Sequence, residues 1–216
     1  MVKVKQHGET LILRGDRTLF WPSRSVLLAA DLHLGKSETM QAHGLPVPSG
    51  GDLNDLNRLT SALQDTGAMH LILLGDLIHH RTGLTLDVQR MFAAWQAHTK
   101  TTQVTLIRGN HDRYLNQLPH GWDLKIVDEA LILPPFCFRH YPEPHPDHYV
   151  FAGHLHPVVR LQGGGDSMRL PCFELGPDVG VLPAFSSFAG GYRVRPETRT
   201  RHFAITDEIV VPLAKI

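Results

Sequence analysis

Residues 71–76 of the chain, LILLGD, form a short apolar run that ends in a glycine and a carboxylate. Three other stretches have a similar form: VLLAAD at residues 26–31, VTLIRGN at residues 104–110 and YVFAGH at residues 149–154. Continuous apolar runs of this length, bounded by turn residues, are typical of strands that are covered on both faces. The four stretches therefore predict buried strands that each end at a polar side chain.

The segments around these runs predict helices and a second sheet. Shorter strands separated by Pro and Gly follow Asn116 and indicate a second, largely antiparallel sheet, with a loop at residues 163–167, GGGDS. The pattern favours an α/β fold of layered α+β character in a single domain spanning residues 1–216. Two segments, residues 52–65 and 86–98, carry apolar residues at helical spacing: Leu53, Leu56, Leu59 and Leu63 in the first, and Val88, Met91, Phe92 and Trp95 in the second.

The composition excludes several classes of protein. Lys plus Arg and Asp plus Glu both number 21, so no net charge recruits a nucleic acid or a membrane over long range. The polar N-terminus and the lack of a run of about 18 apolar residues predict a soluble, cytoplasmic chain with no membrane partner. Cys137 and Cys172 are expected to be buried free thiols. The 15 histidines favour a metal site, because imidazole is the commonest metal ligand.

Residues with metal-binding side chains follow the four predicted strands. In open α/β sheets ligands bind outside the carboxyl ends of the strands, so we expect these side chains to converge. A mixture of carboxylate, imidazole and one amide suits Mn, Fe or Zn better than Ca or Mg, which prefer oxygen ligands. The set is too large for one ion, and Asp76, alone at its strand end, is the natural bridge between two ions. The candidates are Asp31, His33, Asp76, Asn110, His111, His154 and His156.

These residues belong to five short motifs that occur in a fixed order, and in this the chain resembles the calcineurin-like metallophosphoesterase superfamily. The resemblance implies a four-layer αββα sandwich of two mixed sheets flanked by helices. It also implies that two divalent ions are bound and that His111 is the catalytic acid and not a ligand. The motifs are D-x-H at residues 31–33, G-D at 75–76, G-N-H-D at 109–112, a lone histidine, and G-H-x-H at 153–156.

The resemblance distributes the ligands between the two ions. It places Asp31, His33, Asp76 and His156 around one ion, and Asp76, Asn110, the lone histidine and His154 around the other. Three residues are candidates for the lone histidine: His140, His145 and His148. His140 fits better than the other two, because it closes the apolar stretch at residues 136–139 and so stands at a predicted strand end.

Other residues near the motifs are candidates for contacts to the substrate. Lys36 follows Gly35 near a predicted helix start, and His79, His80 and Arg81 follow the proposed bridging Asp76. Each is a candidate contact to a substrate phosphate. The alternative is that these are ordinary solvent-exposed side chains of a surface loop. Asp112 is a candidate for orienting His111.

Three longer phrases point to one branch of the superfamily. Residues 30–36, 74–79 and 182–188 look like the ligase-associated DNA-damage-response phosphoesterases, a bacterial branch described as endonucleases. This similarity implies a manganese-dependent phosphodiesterase that acts as a nuclease on DNA in repair, beside a DNA ligase and a helicase.

The predicted chemistry is hydrolysis of a phosphodiester by a hydroxide that bridges the two ions. Metal coordination lowers the pKa of water to about 7, and the site keeps a charge of about +1 that attracts a phosphate ester. Two alternatives use the same fold. One is a small-molecule phosphatase or cyclic nucleotide phosphodiesterase, and the other is a non-catalytic scaffold, which the intact motifs argue against.

Overall fold

The computed structural model of the chain describes residues 1–163, 166–195, 199–206 and 208–214. Of the loop expected at residues 163–167, Gly164 and Gly165 lie outside the described residues. Two mixed β-sheets and three α-helices make up the described part of the fold. None of the helices in the described ranges is long and apolar enough to cross a membrane.

The first sheet has seven strands in the described residues, arranged in chain order. The first four strands pair antiparallel, and the last four pair parallel, sharing the fourth strand. The parallel half contains three of the buried runs predicted from the sequence. The strands are β1 (Val2–Gln6), β2 (Glu9–Leu13), β3 (Leu19–Trp21), β4 (Val26–Ala29), β5 (His70–Leu73), β6 (Gln103–Ile107) and β7 (Lys125–Val127).

The second sheet holds the nine remaining strands of the described residues. They are β8 (Ala130–Leu133), β9 (Phe136–Arg139), β10 (Tyr149–Ala152), β11 (Pro157–Gly163), β12 (Asp166–Leu175), β13 (Val179–Val181), β14 (Tyr192–Arg193), β15 (Arg201–Thr206) and β16 (Ile209–Pro212). The order is β14-β11-β12-β13-β10-β9-β8, and β15 pairs with β12 and β16. Most pairs are antiparallel as expected, but β10 runs parallel to both β9 and β13, and β11 runs parallel to β14, so this sheet is mixed as well.

The helices come from the segments between β4 and β6. They are α1 (Lys36–Ala42), α2 (Gly51–Thr66) and α3 (Leu86–His98), and the last two match the predicted helices within two residues. The helix α2 ends at Gly67, which has a φ of +62° and forms a left-handed cap. Leu53 is an exception to the predicted apolar face, because it is 52% exposed while Leu56, Leu59 and Leu63 are buried.

The two faces of the first sheet have different neighbours. On one face, Leu71 and Leu73 of β5 pack in a cluster with Leu59 of α2 and Phe92 of α3. On the other face, the alternate residue Ile72 belongs to a cluster that contains the aromatic residues of the second sheet. Those aromatics are Phe136, Phe138, Tyr149, Phe151, Phe173 and Phe203. Because successive side chains of a strand point to opposite faces, residues buried on both sides of a sheet must be apolar, as Leu71, Ile72 and Leu73 of β5 are.

This layering matches the αββα sandwich that the sequence resemblance implies, with its two mixed sheets and its helices. Cys137 and Cys172 are both buried and free, as expected. The carboxyl ends of β4, β5 and β6 lie side by side, because these strands pair parallel and in register. The segments that follow these strands are therefore brought to one edge of the sheet.

Candidate metal centre

The predicted metal ligands occupy tight turns immediately after the strands. The strands β4 and β10 end two residues or fewer before Asp31 and His154. Residues other than glycine seldom adopt positive φ, and such strained residues concentrate at functional sites. Five of the predicted ligands have positive φ: Asp31 (55°), His33 (50°), Asp76 (50°), His154 (70°) and His156 (50°).

Backbone hydrogen bonds tie these turns together. The amide of Asp31 donates to the carbonyl of Gly75 (3.1 Å), and the amide of His33 donates to the carbonyl of Asp76 (2.9 Å). Two ligand carboxylates also accept amides of other turns. The amide of His154 donates to Asp31 Oδ2 (3.0 Å), and the amide of His111 donates to Asp76 Oδ1 (2.9 Å). The carboxylate of Asp31 thus holds a turn of the second sheet, and the carboxylate of Asp76 holds a turn of the first sheet.

The first group of donor atoms consists of Asp31, His33 and His156, whose potential ligand atoms all lie within 4.8 Å of one another. The Nε2 atoms of His33 and His156 are 3.2 Å apart, and His156 Nε2 is 3.5 Å from Asp31 Oδ1. The carbonyl of Gly190 is 3.3 Å from His156 Nδ1 and accepts a proton on that nitrogen, so Nε2 is the atom left to bind a metal when the ring is neutral. Its Nε2 lone pair is then directed at the group.

The second group consists of Asp76, His140 and His154, again with potential ligand atoms within 4.8 Å of one another. His140 Nε2 is 3.0 Å from Asn110 Oδ1 and 3.5 Å from Asp76 Oδ1. His154 Nδ1 lies 3.1 Å from the same His140 Nε2. His140 Nδ1 is 2.9 Å from the carbonyl of Leu74, so in the neutral ring Nε2 is again the free donor atom.

Of the three candidates for the lone histidine, the structure places only His140 among the other donors. His145 and His148 stack on each other, with ring centroids 5.0 Å apart. His140 is buried at the end of β9, as the pattern of that strand predicts.

The glycines before the donors allow a close approach of the backbone. Gly75 has a φ of +86°, and a Cβ at this position would overlap the ring of His140. A Cβ on Gly109 would overlap the carboxylate and the amide of Asp76. A side chain at either position would push a donor out of place.

Burial and neighbouring charges together shift the pKa values of the donors. Burial, followed by the neighbouring His156, lowers the pKa of His33 to about 2, so its imidazole is neutral at neutral pH. Burial also raises the pKa of Asp76, although His140 opposes this effect. Burial alone would lower the pKa of His156, but its contact with Asp31 outweighs burial and raises it. Carboxylates and imidazole lone pairs that face one another inside a protein need a cation to compensate them.

The burial, charge and ligand atoms of these residues therefore suit divalent cations. Asp31 and Asp76 are buried, at 0% and 2% exposure, and neither has an Arg or Lys partner among the ion pairs of the described residues. Imidazole and carboxylate around one position suit Mn, Fe or Zn. These residues could hold two metal ions, one at each group.

His111 lies beside both groups and is oriented by the backbone. Its ring contacts that of His33 at 5.1 Å, and its Nε2 is 3.9 Å from Asp76 Oδ2. Its Nδ1 is hydrogen-bonded to the carbonyl of His79. The ring of His79 stacks on that of His111, with centroids 5.5 Å apart.

The expectation that Asp112 orients His111 is wrong. Both carboxylate oxygens of Asp112 accept backbone amides, from Ile78 (3.1 Å) and from Gly109 (2.9 Å). Burial raises the pKa of Asp112 to about 7, and these amides act in the opposite direction. Asp112 therefore joins the turns after β5 and β6, because its side chain is fully buried beneath them.

The predicted substrate contacts differ in their surroundings. His79 is partly buried, and burial followed by the charge of Lys36 lowers its pKa to about 4. Lys36 is also partly buried, and its Nζ lies 5.5 Å from the ring centroid of Phe188. His80 and Arg81 are exposed, and His80 caps the short 3-10 helix Arg81–Gly83 by accepting the amide of Thr82.

That 3-10 helix is in direct backbone contact with the turn before α1. A Cβ on Gly35 would overlap the carbonyl of Gly83, and a Cβ on Gly83 would overlap the carbonyl of Gly35. The amide of Gly35 also donates to Asp52 Oδ2 at 2.6 Å. The segment that carries Lys36 is therefore fixed on two sides.

Sequence reasoning missed the contribution of residues 184–190. Ala184 forms a parallel bridge with Ala30, and the amide of Phe185 donates to the carbonyl of Ala30 at 2.7 Å. The amide of Ser186 donates to the carbonyl of Asp31 at 3.3 Å. The phrase at residues 182–188 marked the segment as part of the resemblance, but it gave no sign of which residues the segment contacts.

A solved nuclease structure is similar to this chain along almost its whole length. No curated protein matches the chain. The crystal structure of Pseudomonas putida nuclease MPE has a TM-score of 0.83 and 37% sequence identity, covering 98% of this chain and 99% of that chain. YfcE, a phosphoesterase from E. coli, gives a TM-score of 0.47 and 17% identity, over 88% of this chain and 99% of that chain.

The match to a protein family lies in the region that carries the donors. Calcineurin-like phosphoesterase is the family that matches, over residues 24–164, which include all the donors of both groups. The order of the motifs, the two mixed sheets and the two donor groups all agree with this match. The chain is a metal-dependent phosphoesterase that belongs to the calcineurin-like phosphoesterase family.

Proposed function

We propose that the protein is a two-metal phosphodiesterase that cleaves nucleic acid, with DNA as its substrate. The observation that carries the proposal is the pair of donor groups built around Asp31 and Asp76, with His111 beside both. The similarity to a Pseudomonas putida nuclease along almost the whole chain supports the choice of nucleic acid as the substrate.

The proposal assigns each donor to an ion. Asp31, His33, Asp76 and His156 hold the first ion, and Asp76, Asn110, His140 and His154 hold the second. The mixed donor set favours manganese and also suits iron or zinc. When bound, two such ions lower the pKa of water, neutralise phosphate charge and stabilise the attacking and leaving oxygens.

The residues around the ions then orient the substrate and move a proton. The carbonyl of His79 accepts the Nδ1 proton of His111, so a His111 ring that is also protonated at Nε2 would give the Nε2 proton to the leaving oxygen and become neutral. Lys36 supplies the one lysine charge that acts on His33 and His79 among the described residues, and it attracts a non-bridging phosphate oxygen. His79, His80 and Arg81 continue this surface for the rest of the nucleic-acid strand.

The cellular setting is part of the proposal. We place the protein in the cytoplasm, in DNA repair, acting with a DNA ligase and a helicase, on the sequence resemblance to the ligase-associated branch. The fold and the donors are compatible with this setting but do not depend on it.

Cleavage assays test the proposal directly. Protein loaded with manganese, with its metal content measured, is assayed on single-stranded DNA, duplex DNA, RNA, bis-p-nitrophenyl phosphate and the p-nitrophenyl monoester. We expect cleavage of DNA and of the diester, loss of both on chelation, and recovery when manganese is added back. Exposed Asp87 offers a matched control, since Asp87→Asn removes a surface carboxylate that pairs with Arg90, while Asp76→Asn removes the proposed bridge. Rapid turnover of the monoester with no cleavage of any nucleic acid would overturn the proposal in favour of a small-molecule phosphatase.

A further inference from the structure

Residues 184–190 span the first donor group from one ligand to another. Near the start of the segment, the amide of Ser186 donates to the carbonyl of Asp31 at 3.3 Å. At its end, the carbonyl of Gly190 accepts from His156 Nδ1 at 3.3 Å. Asp31 and His156 are both members of the first group, so the residues between these two contacts must lie alongside that group.

Three charged side chains, which are buried or partly buried, hydrogen-bond to the backbone of this segment. Arg17 Nη1 donates to the carbonyl of Ser186 at 2.6 Å, and the guanidinium of Arg58 hydrogen-bonds to the carbonyl of Phe185 and stacks over its ring at 4.2 Å. Asp55 Oδ2 accepts the amide of Ser187 at 3.1 Å. Hydrogen bonds to charged groups are stronger than neutral ones, so the backbone at residues 185–187 is firmly held.

Phe188 is the large apolar side chain that this held segment presents to solvent. Its amide donates to Ser186 Oγ at 3.3 Å, which extends the anchoring to Phe188 itself. Phe188 is 46% exposed, although its segment runs alongside a strongly polar centre. The one cation in contact with the ring is Lys36, whose Nζ is 5.5 Å from the centroid, among the contacts of the described residues. An exposed ring held in a fixed position beside a reaction centre is suited to bind a planar group.

We propose that Phe188 and Lys36 form a nucleotide subsite, in which a nucleobase next to the scissile phosphate stacks on the exposed part of the Phe188 ring and Lys36 contacts a phosphate. This inference rests on the proposed function and adds to it the residues that recognise the nucleoside.

The two side chains supply complementary parts of one recognition surface. A nucleobase is linked to its phosphate through a single sugar, so a base-binding group must stand beside the metal centre and not within it. Any base has a π face, so an aromatic ring binds it without selecting a sequence. The ammonium of Lys36 polarises the ring through a cation–π contact and keeps its charge close to the donors, where a phosphate binds.

The test compares substrates that differ only at the base. Each short oligonucleotide carries one cleavable phosphodiester, and the flanking linkages are blocked. For each side of that phosphodiester, one oligonucleotide has thymine on the adjacent sugar and its partner has an abasic tetrahydrofuran there. The readout is the ratio of kcat/KM for the base-bearing substrate to that for the abasic one, measured with the base placed on either side of the phosphate.

The wild-type protein is expected to show a ratio of about ten on one side of the phosphate. Phe188→Leu is expected to bring this ratio close to one, whereas Phe188→Trp restores it because the aromatic face is kept. Lys36→Met is expected to lower kcat/KM on both substrates alike and to make the dependence on salt less steep. Met69→Ala is the matched control: Met69 is 57% exposed and apolar, but it precedes β5 at the end of the sheet opposite to the donors.

The outcomes separate this inference from the proposed function. A ratio in Phe188→Leu equal to that of the wild type, in a variant with normal manganese content, would overturn the subsite while DNA cleavage by the wild type still stands. A wild-type protein that hydrolyses the p-nitrophenyl monoester but neither oligonucleotide would overturn the proposed function and the subsite together.

Discussion

The metal centre and the surface around it are built in opposite ways. The ligand turns, at residues 31–33, 75–76, 109–111 and 154–156, place donors on buried or partly buried backbone, much of it with positive φ. The rim, made of Lys36, residues 79–81 and Phe188, contains partly or fully exposed side chains on segments of ordinary φ.

The difference reflects what each region has to do. A ligand turn must hold a donor atom in place, and strained φ values of about 1–3 kcal/mol each persist only where surrounding contacts enforce them. The rim must accept substrates of varied shape, so its side chains remain accessible and their individual contributions are small. Changes in the ligand turns are therefore expected to have large effects, and changes in the rim small ones.

The largest effect is expected at the carboxylate shared by the two proposed ions. Asp76→Ala should reduce phosphodiester hydrolysis to the uncatalysed background and leave less than one metal ion per chain, because both positions lose a ligand. Elemental analysis and kinetics on the same sample check this. Full metal content with normal turnover would refute the bridging role.

His111 separates catalysis from metal binding. His111→Ala should keep both ions but slow cleavage by about 10²–10⁴-fold, the usual contribution of a general acid. The loss should be greatest for esters with poor leaving groups, which need the proton most. A uniform loss across leaving groups of different pKa would argue against proton donation.

A substitution at Gly75 tests how tightly the ligand turns are constrained, by comparison with the same substitution at a glycine that caps a helix. Gly75→Ala adds a methyl group against the ring of His140 at a φ of +86°, so we expect a loss of about 3 kcal/mol in unfolding free energy. Gly67→Ala is the control, because Gly67 has a φ of +62° with nothing within 4 Å of a Cβ, and about 1 kcal/mol is expected. Urea denaturation measures both. Equal losses would show that the ligand turn is no more constrained than a helix cap.

Asp52 tests how the turn before α1 depends on pH. Burial raises the pKa of Asp52 to about 6, so the folded chain favours the protonated carboxyl. The stability that this group contributes is present below about pH 4 and is lost as the pH rises towards 6. Asn at this position can still accept the amide of Gly35 and does not ionise.

The free energy of unfolding of the metal-free wild type, relative to Asp52→Asn, should therefore fall by about 2 kcal/mol between pH 4 and pH 7. Urea titrations at several pH values measure the difference, and Asp87→Asn serves as the exposed control. A difference that rises with pH would have the wrong sign for a buried carboxyl.

The smallest effect is expected at Arg81, on the exposed rim. Arg81→Gln should weaken DNA binding by about threefold, as expected for one exposed ion pair. The slope of log affinity against log salt should decrease by about one if Arg81 contacts a phosphate. Fluorescence anisotropy with the catalytically inactive Asp76→Ala protein gives both values, and an unchanged slope would remove Arg81 from the contact surface.

The sequence predicts the parts of the molecule that depend on local pattern. The buried run at residues 71–74 and the glycine and carboxylate after it indicate a strand, a turn and a donor together. The choice of His140 among three histidines also follows from a local pattern, because it alone closes an apolar strand.

Other features depend on contacts between residues far apart in the chain, which carry no local pattern. The contact of Ser186 with Asp31 and the contact of Ser187 with Asp55 each join residues more than 130 positions apart. Asp112 accepts one local amide, from Gly109 in its own turn, and one distant amide, from Ile78, which the sequence did not indicate as a partner. Leu53 keeps the helical period but faces water, because the helix face that packs on the sheet is narrower than the row of leucines.

The backbone contact between Gly35 and Gly83 has a mechanical consequence. There is no room for a methyl group on either glycine. The turn that follows His33 and the short helix that follows His80 therefore pack directly against each other through their backbones. A substrate that displaced one of these segments would displace the other, so binding at Arg81 would shift the turn after His33. The position of the Arg81 segment relative to the turn after His33 therefore depends on two glycines, and a side chain at either one would separate them.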